Sequence, residues 1–560
     1  METRNVLLAV ILSTIVLIFW ATFFEPPVVE QKQEKEIVEK QNTESPSINE
    51  DGKIASTEIN REEVIKNTNR IKIENENIKG SISLQGAIID DITFKNYNET
   101  LDSENKVVFL NPKNSTREYF IETGWASGGD EKINLPLIDS NWIVKGNNIL
   151  TPSSPITLEW DNDEGLIFTK KIELDNKFLF KITQSIKNNS NKSFQFYPYA
   201  QINRKGKPEG MQIYILHEGF LGVFGEELKE KDFEDIEKEK FTISSTKGWL
   251  GITDKYWLTA IVPEQGTEFK AEFVAKNQKY RANYIIKNPK ILNPGNSISN
   301  EINTFVAAKE VAVIDSYAEN LGIEKFDLTI DWGWFYFFTK PLFFIIDYFF
   351  RLTGNFGLAI VIITALVRLI FFPLANYSFK SMAKMKILQP EMLRLKELHK
   401  DDKAKLQQEM MALYKREKVN PVSGCLPVLI QIPFFFAIYK MLYVTLEMRH
   451  QPFFGWIHDL SERDPTTIFN LFGLIPWDPP NFLIIGAWPI MMGITMYIQQ
   501  KLNPTPPDPV QAKIFMFFPL FLTVILAPFP SGLVIYWTVN NILTMAQQVV
   551  IMKKTSVKTV

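Results

Sequence analysis

The chain holds one cysteine, Cys425, among 560 residues, so no disulfide can form within it whichever compartment each part faces. Histidine is almost as scarce: His217, His399, His450 and His458 are scattered, and no spacing among them suits a metal. Also missing are the G-x-S-x-G elbow, the H-E-x-x-H zinc helix, the phosphate-cradling G-x-x-x-x-G-K loop and the dinucleotide glycine fingerprint. These absences lower the case for hydrolases and nucleotide-driven pumps. We expect no catalytic residue, no cofactor, no metal and no enzyme activity. An excess of one charge is lacking too. With 61 basic and 64 acidic residues the net charge is −3, which gives no electrostatic footprint for direct nucleic-acid binding.

What the chain has is a division between apolar ends and a polar middle. Asn5 to Phe24 is almost wholly apolar and close to the ~20 residues that span hydrocarbon. Arg4 before it favours a cytoplasmic start. A cleavable signal would end in small residues, but here the end reads Phe19-Trp20-Ala21-Thr22-Phe23-Phe24 before Glu25-Pro26-Pro27. Residues 1–24 therefore read as a retained anchor. Residues 25–69, rich in Gln, Glu and Lys with Pro26, Pro27 and Pro46, read as a flexible tether.

Residues 70–320 change to short alternating runs, the pattern of an antiparallel β-sandwich. Ile172–Leu174 and Phe178–Ile182 flank Asp175-Asn176-Lys177, a hairpin signature. Further strands are expected at Met211–Leu216, Phe241–Ser245, Trp257–Val262, Glu268–Val274 and Glu301–Val306. No carboxylate pair or histidine cluster in this region stands out as catalytic, so a binding or spacer domain is the expectation.

A polytopic helical bundle is expected after it. Asp331–Arg351, within a segment 321–353, is aromatic but interrupted by Lys340, Pro341 and Asp347, which suits an interfacial amphipathic helix. Five spans follow within 354–552: about Gly357–Tyr377, Pro421–Tyr443, Phe482–Gln499, Ile514–Ala527 and Gly532–Ile551. Lys380–Lys418 carries eleven Lys/Arg against six Asp/Glu, and the positive-inside rule puts it in the cytoplasm. Counting the anchor, this gives six transmembrane helices, both termini cytoplasmic and the β domain outside. Within 379–420, Met385, Leu388, Met392 and Leu395, then Leu406, Met410 and Leu413, recur at helical steps on either side of Asp401-Asp402. That is a helical hairpin, whose basic charge serves either topology alone or an acidic partner.

Polarity inside the spans is the informative feature. Arg368 stands in VIITALVRLIFFPL, where an arginine costs about 2.5–3.5 kcal/mol on insertion scales. Thr364 lies one turn before it. Trp537, Asn540, Asn541, Thr544 and Gln548 recur along the last span, and Gln431 and Tyr439 lie two turns apart between Pro427 and Pro433 perturbations. No Asp or Glu occurs in Gly357–Tyr377 or Gly532–Ile551, so we expect the partner of Arg368 to be water or an acidic group from outside the chain. Two rivals stand beside a groove of this kind: a secondary transporter or channel, and an envelope enzyme whose chemistry lies in the β domain.

The stretches VIITALVRLIFFPL, SFKSMAKMKILQPEM, EMMALYKREKVNPVSGCLPVLIQIPFFFAIYKML, WIHDLSERDP and FPSGLVIYWTVNN resemble the YidC membrane-protein insertase family in order and spacing. The resemblance covers Asp331 to Met552, with TFVAAKE at Thr304–Glu310 a shorter match in the β domain. It implies the Gram-negative form, a bacterial inner-membrane insertase and chaperone acting alone or with the Sec translocon on nascent integral membrane proteins. It implies a hydrophilic groove lined by Arg368, Thr364, Gln431, Tyr536, Trp537, Asn540, Asn541 and Thr544, with Tyr536-Trp537 as an aromatic pair that contacts clients. The cytoplasmic hairpin would meet the ribosome and a targeting receptor, and membrane lipid would flank the bundle. The tail 553–560 carries only Lys553, Lys554 and Lys558, too short for the long basic tail that some relatives bring to the ribosome.

Overall fold

Every second side chain is buried along Leu166–Leu174 and Leu179–Asn188, the period of strands with one face on a core. Between them the Asp175 carboxylate accepts the backbone N–H of Lys177 at 2.8 Å and of Leu179 at 2.9 Å. The strands pair antiparallel from Phe180 opposite Leu174 to Asn188 opposite Leu166, as the hairpin signature predicts. The computed structural model describes residues 59–128, 133–208, 216–400, 402–417, 419, 426–477, 479–480, 483–503 and 509–556. The expected anchor, most of the tether, the strand at 211–215 and the end of the tail lie outside them.

The described strands form two largely antiparallel sheets, one of nine strands and one of eleven. The expected strands Phe241–Ser245 and Trp257–Val262 keep those bounds, while Glu268–Val274 becomes Phe269–Lys276 and Glu301–Val306 falls within Ser297–Ala308. Rings from opposite sheets meet in the core: Phe220 stacks on Phe273 with centroids 5.1 Å apart, and Phe168 meets Phe196 edge-on at 6.2 Å. Each fully buried phenylalanine contributes about 1.5–3 kcal/mol, so this sandwich is held by its centre.

Short helices α1 (Arg61–Asn67) and α2 (Phe233–Lys238) flank the sheets, and α3 (Val311–Asn320) leaves the last strand. Next comes α4 (Tyr336–Thr353), close to the expected interfacial segment. It buries Thr339, Leu342, Phe343 and Ile346 at helical spacing, yet Phe337 and Tyr348 on its other side are 64% exposed. Gly354, at φ 69°, ends it in a left-handed cap that donates its N–H to the Phe350 carbonyl.

The bundle consists of α5 (Phe356–Ile370), α6 (Phe372–Leu398), α7 (Lys403–Arg416), α8 (Leu426–Val444), α9 (Ala487–Leu502), α10 (Pro509–Leu526) and α11 (Ser531–Ser556). One expectation is corrected here. Gly357–Tyr377 is not one straight helix: the chain bends by 68° between α5 and α6. Pro373 sits in the first turn of α6, where its ring starts a helix readily but cannot continue one, so the break falls just before it. Among the described residues no single helix is long and apolar enough to cross a membrane, although the bent pair α5 and α6 meets that measure jointly. The hairpin of α6 and α7 turns where expected, with Asp402 capping α7 through the Lys405 N–H at 3.0 Å.

Sandwich and bundle meet around α3. The Tyr317 hydroxyl donates to Asp175 at 2.6 Å and accepts the Phe178 N–H, locking α3 under the hairpin turn. Glu447, just past α8, accepts the Val311 N–H at the start of α3 at 2.8 Å. Its other carboxyl oxygen is buried without a partner, and burial pushes this carboxyl up to about 7. The folded state therefore holds a proton that the unfolded chain has lost between about 4.5 and 7. Its stabilising contribution is present below pH 4.5 and is lost as pH rises through 7. Glu447→Gln keeps the hydrogen bond without the charge. Thermal melts of the purified protein should show the variant matching the parent at pH 4.5 and exceeding it at pH 8.

Candidate functional site

α5 begins where the Asn355 side chain accepts the Leu358 N–H at 2.9 Å, and it carries an apolar surface broken by Thr364 and Arg368. The Thr364 hydroxyl is satisfied inside its own helix, donating to the Ile360 carbonyl at 2.6 Å. Arg368 reaches across to α11, where its Nε donates to Asn540 Oδ1 at 2.8 Å. From the same helix Gln547 donates to the Arg368 carbonyl at 3.3 Å. The partner expected for the guanidinium was water or an outside acid, and this is corrected: a resident amide oxygen takes it. An amide offers a lone pair without a buried negative charge, which avoids the desolvation cost of a carboxylate.

Thr364, Arg368, Tyr536 and Asn540 line one crevice with Phe371, Phe434 and Ile438, and its volume is about 40 Å³. That holds only a few waters. Around Arg368 the groove implied by the resemblance is thus a narrow slot.

The polar residues of α11 do not form the one stripe the spacing suggests. Asn541 donates to Thr495 on α9 at 3.2 Å, and Gln548 donates to Asn503 at the end of α9 at 2.9 Å. Thr544 turns back to the Asn540 carbonyl at 2.6 Å. Asn540 and Tyr536, four residues apart and so on one face, look toward the arginine, whereas Asn541, the next residue along, points round the helix to α9. Trp537 lies next to the crevice, edge-on to Phe435 at 4.8 Å. Gln431 belongs to α8, with its side chain outside the described residues.

One pair was not anticipated. Lys440, inside the apolar run of α8, bonds Asp331 at 2.6 Å, and the same Asp331 oxygen accepts the His217 N–H at 3.0 Å. A charge inside an apolar run was the available signal, and Lys440 carried it as plainly as Arg368 did. Among the described residues no three His, Cys, Asp or Glu gather as metal ligands.

Two protein families match the chain: the YidC periplasmic domain over residues 70–345, and the 60Kd inner membrane protein over residues 348–558. A membrane protein insertase YidC of Pelagibacter ubique is 57% identical over all of both chains. The insertase of the same name from Beijerinckia indica is 45% identical, covering all of this chain and 97% of its own. A crystal structure of an active YidC insertase with its first transmembrane domain resolved is 17% identical, with a TM-score of 0.35, over 85% of this chain and 91% of that one. A β-rich periplasmic domain joined to an inner membrane protein domain, in relatives named insertases over their full length, defines the class of membrane protein insertases. The chain belongs to the YidC family. Its substrates are accordingly membrane proteins, and the transporter reading gives way.

The Lys440–Asp331 pair makes a testable claim about the scaffold. Removing one partner of a largely buried ion pair costs about 3–5 kcal/mol, whereas replacing both is much milder. Lys440→Met should lower the melting temperature in detergent, and the double variant with Asp331→Asn should recover most of the loss.

Proposed function

We propose that the crevice of Thr364, Arg368, Tyr536 and Asn540 is where the insertase takes hold of the polar segment of a nascent membrane protein. The observation that carries this is Arg368 bonded to a neutral amide, which accepts from one edge of the guanidinium without adding a negative charge. A client's acidic residue entering the slot gains a charge-assisted bond that Asn540 cannot match. Trp537, Asn541, Thr544 and Gln431 are assigned to the same client path. Apolar client segments then slide out along the lipid-facing helices, driven by burial in hydrocarbon, and no nucleotide is consumed.

The same reading sets the topology. The anchor at 1–24 and five spans in 354–552 cross the membrane six times, with α5 ending at the bend, both termini cytoplasmic and the sandwich of 70–320 in the periplasm. Helix α4, within 321–353, lies in the interface with its exposed aromatics toward lipid. The basic hairpin of 379–420 meets the ribosome and a targeting receptor, while the tail of 553–560 adds little. The protein works alone or beside the Sec translocon.

Photo-crosslinking of a stalled single-span client should label positions beside Arg368, Thr364 and Trp537; labels confined to the β domain would sink the groove. If the bond to the client is made only during crossing, losing about 1.5–3 kcal/mol slows insertion roughly 10- to 100-fold in Arg368→Ala. Arg368→Lys keeps the charge and should retain part of the rate. Deleting 69–308 should leave insertion of such a client intact.

A further inference from the structure

A chamber of about 1060 Å³ lies between the sandwich and the bundle loops that face it. Seven lysines and arginines line it against three carboxylates. Three of those cations make no direct ion pair among the described residues, although Glu462 and Asp459 lie within electrostatic reach of Arg449 and Lys255, and Glu218 of Lys255. Lys205 makes no ion pair; Arg449 donates to the carbonyls of Asn98 and Glu99; Lys255 sits over the rings of Tyr443 at 4.3 Å and Tyr256 at 4.8 Å. Cations held by rings and carbonyls keep a net positive field, and low-dielectric walls focus it into the chamber.

A second observation joins this chamber to the Arg368 crevice. Phe435, Tyr439 and Tyr443 stand one turn apart on α8, with centroids 6.2 and 5.9 Å apart. Phe435 touches Trp537 beside the crevice, Phe529 packs on Tyr439 at 5.9 Å, and Tyr443 lines the chamber beneath Lys255. Ile438 lines the crevice and Tyr443 the chamber, so about 7.5 Å of helix separates them. In that partition the Tyr439 hydroxyl is buried without a hydrogen-bond partner among the described residues. Such a group is costly unless something supplies the missing bond, and a polypeptide backbone in passage does.

We infer that the chamber is a second client site, which receives the acidic end of a membrane protein after it passes the aromatic partition from the Arg368 crevice. This rests on the crevice being the client path. Continuity with that path through the α8 column favours polypeptide over a lipid headgroup as the occupant. The chamber then acts by charge, retaining the emerged end and opposing its return.

The test uses the full chain in proteoliposomes, with a photo-crosslinking residue in place of Gln278, which lines the chamber without contributing charge. Two single-span clients are compared, one with a translocated tail rich in Asp and Glu and one with the matching Asn and Gln tail. Protease protection scores insertion in the same samples. The acidic tail should crosslink several-fold more than the neutral one, and Lys205→Gln with Lys255→Gln should abolish the excess while the neutral client inserts at its former rate. Equal labelling of both tails, or labelling of phospholipid alone, overturns the proposal. Normal insertion with no client label overturns it while leaving the crevice reading in place. If neither client inserts although crosslinker-free protein does so, the Lys205/Lys255 variant without the crosslinker decides: slower insertion of the acidic tail alone supports the chamber, and equal rates overturn it.

Discussion

The crevice depends on the bond between Arg368 on α5 and Asn540 on α11. A guanidinium in an apolar bundle must find acceptors, and its choice of partner decides what remains of its charge. A carboxylate would have neutralised it and cost a second desolvation. The amide satisfies one edge of the fork and leaves the electrostatic potential standing. The other polar groups of α11 serve a different purpose: Asn541 and Gln548 fasten it to α9, so that Asn540 is presented from a helix fixed on its opposite side.

The sandwich is coupled to this machinery through few but deeply seated contacts. Lys340 of α4 bonds Asp315 at 2.8 Å and Asp327 at 2.7 Å, Lys440 of α8 bonds Asp331, and Glu447 closes the start of α3. All three converge on the linker between the last strand and the bundle. The sandwich core is aromatic and continues through Phe326, Trp332 and Phe343 into the bundle, so its attachment is apolar as well as electrostatic. Largely buried pairs of this kind specify an orientation more than they add net free energy.

Much of this was legible in the residues, for reasons that can be named. The hairpin at Leu166–Asn188 was readable because burial alternates strictly and Asp175 has a turn role written in its side chain. The crevice residues Thr364 and Arg368 were readable because a charge in an apolar run has few innocent explanations. What escaped is whatever depends on two helices at once. Helical spacing gave the polar positions of α11 but not their division between α5 and α9. The Lys440–Asp331 bond joins residues 109 apart, and the bend at Phe371 depends on a proline that suits the first turn of a helix as well as it breaks one.

That bend has a mechanical meaning. Arg368 stands three residues before Phe371, and beyond it α6 runs for 27 residues, about 40 Å of helix at 1.5 Å per residue. The hairpin is therefore a long arm pivoting close to the guanidinium. Tilting the arm by a few degrees sweeps its tip through several ångströms but shifts the arginine by only a fraction of one, so large motions at the far end are geared down into fine re-aiming at the crevice. A push on the tip would be felt at the crevice as a small change of aim, without anything entering it.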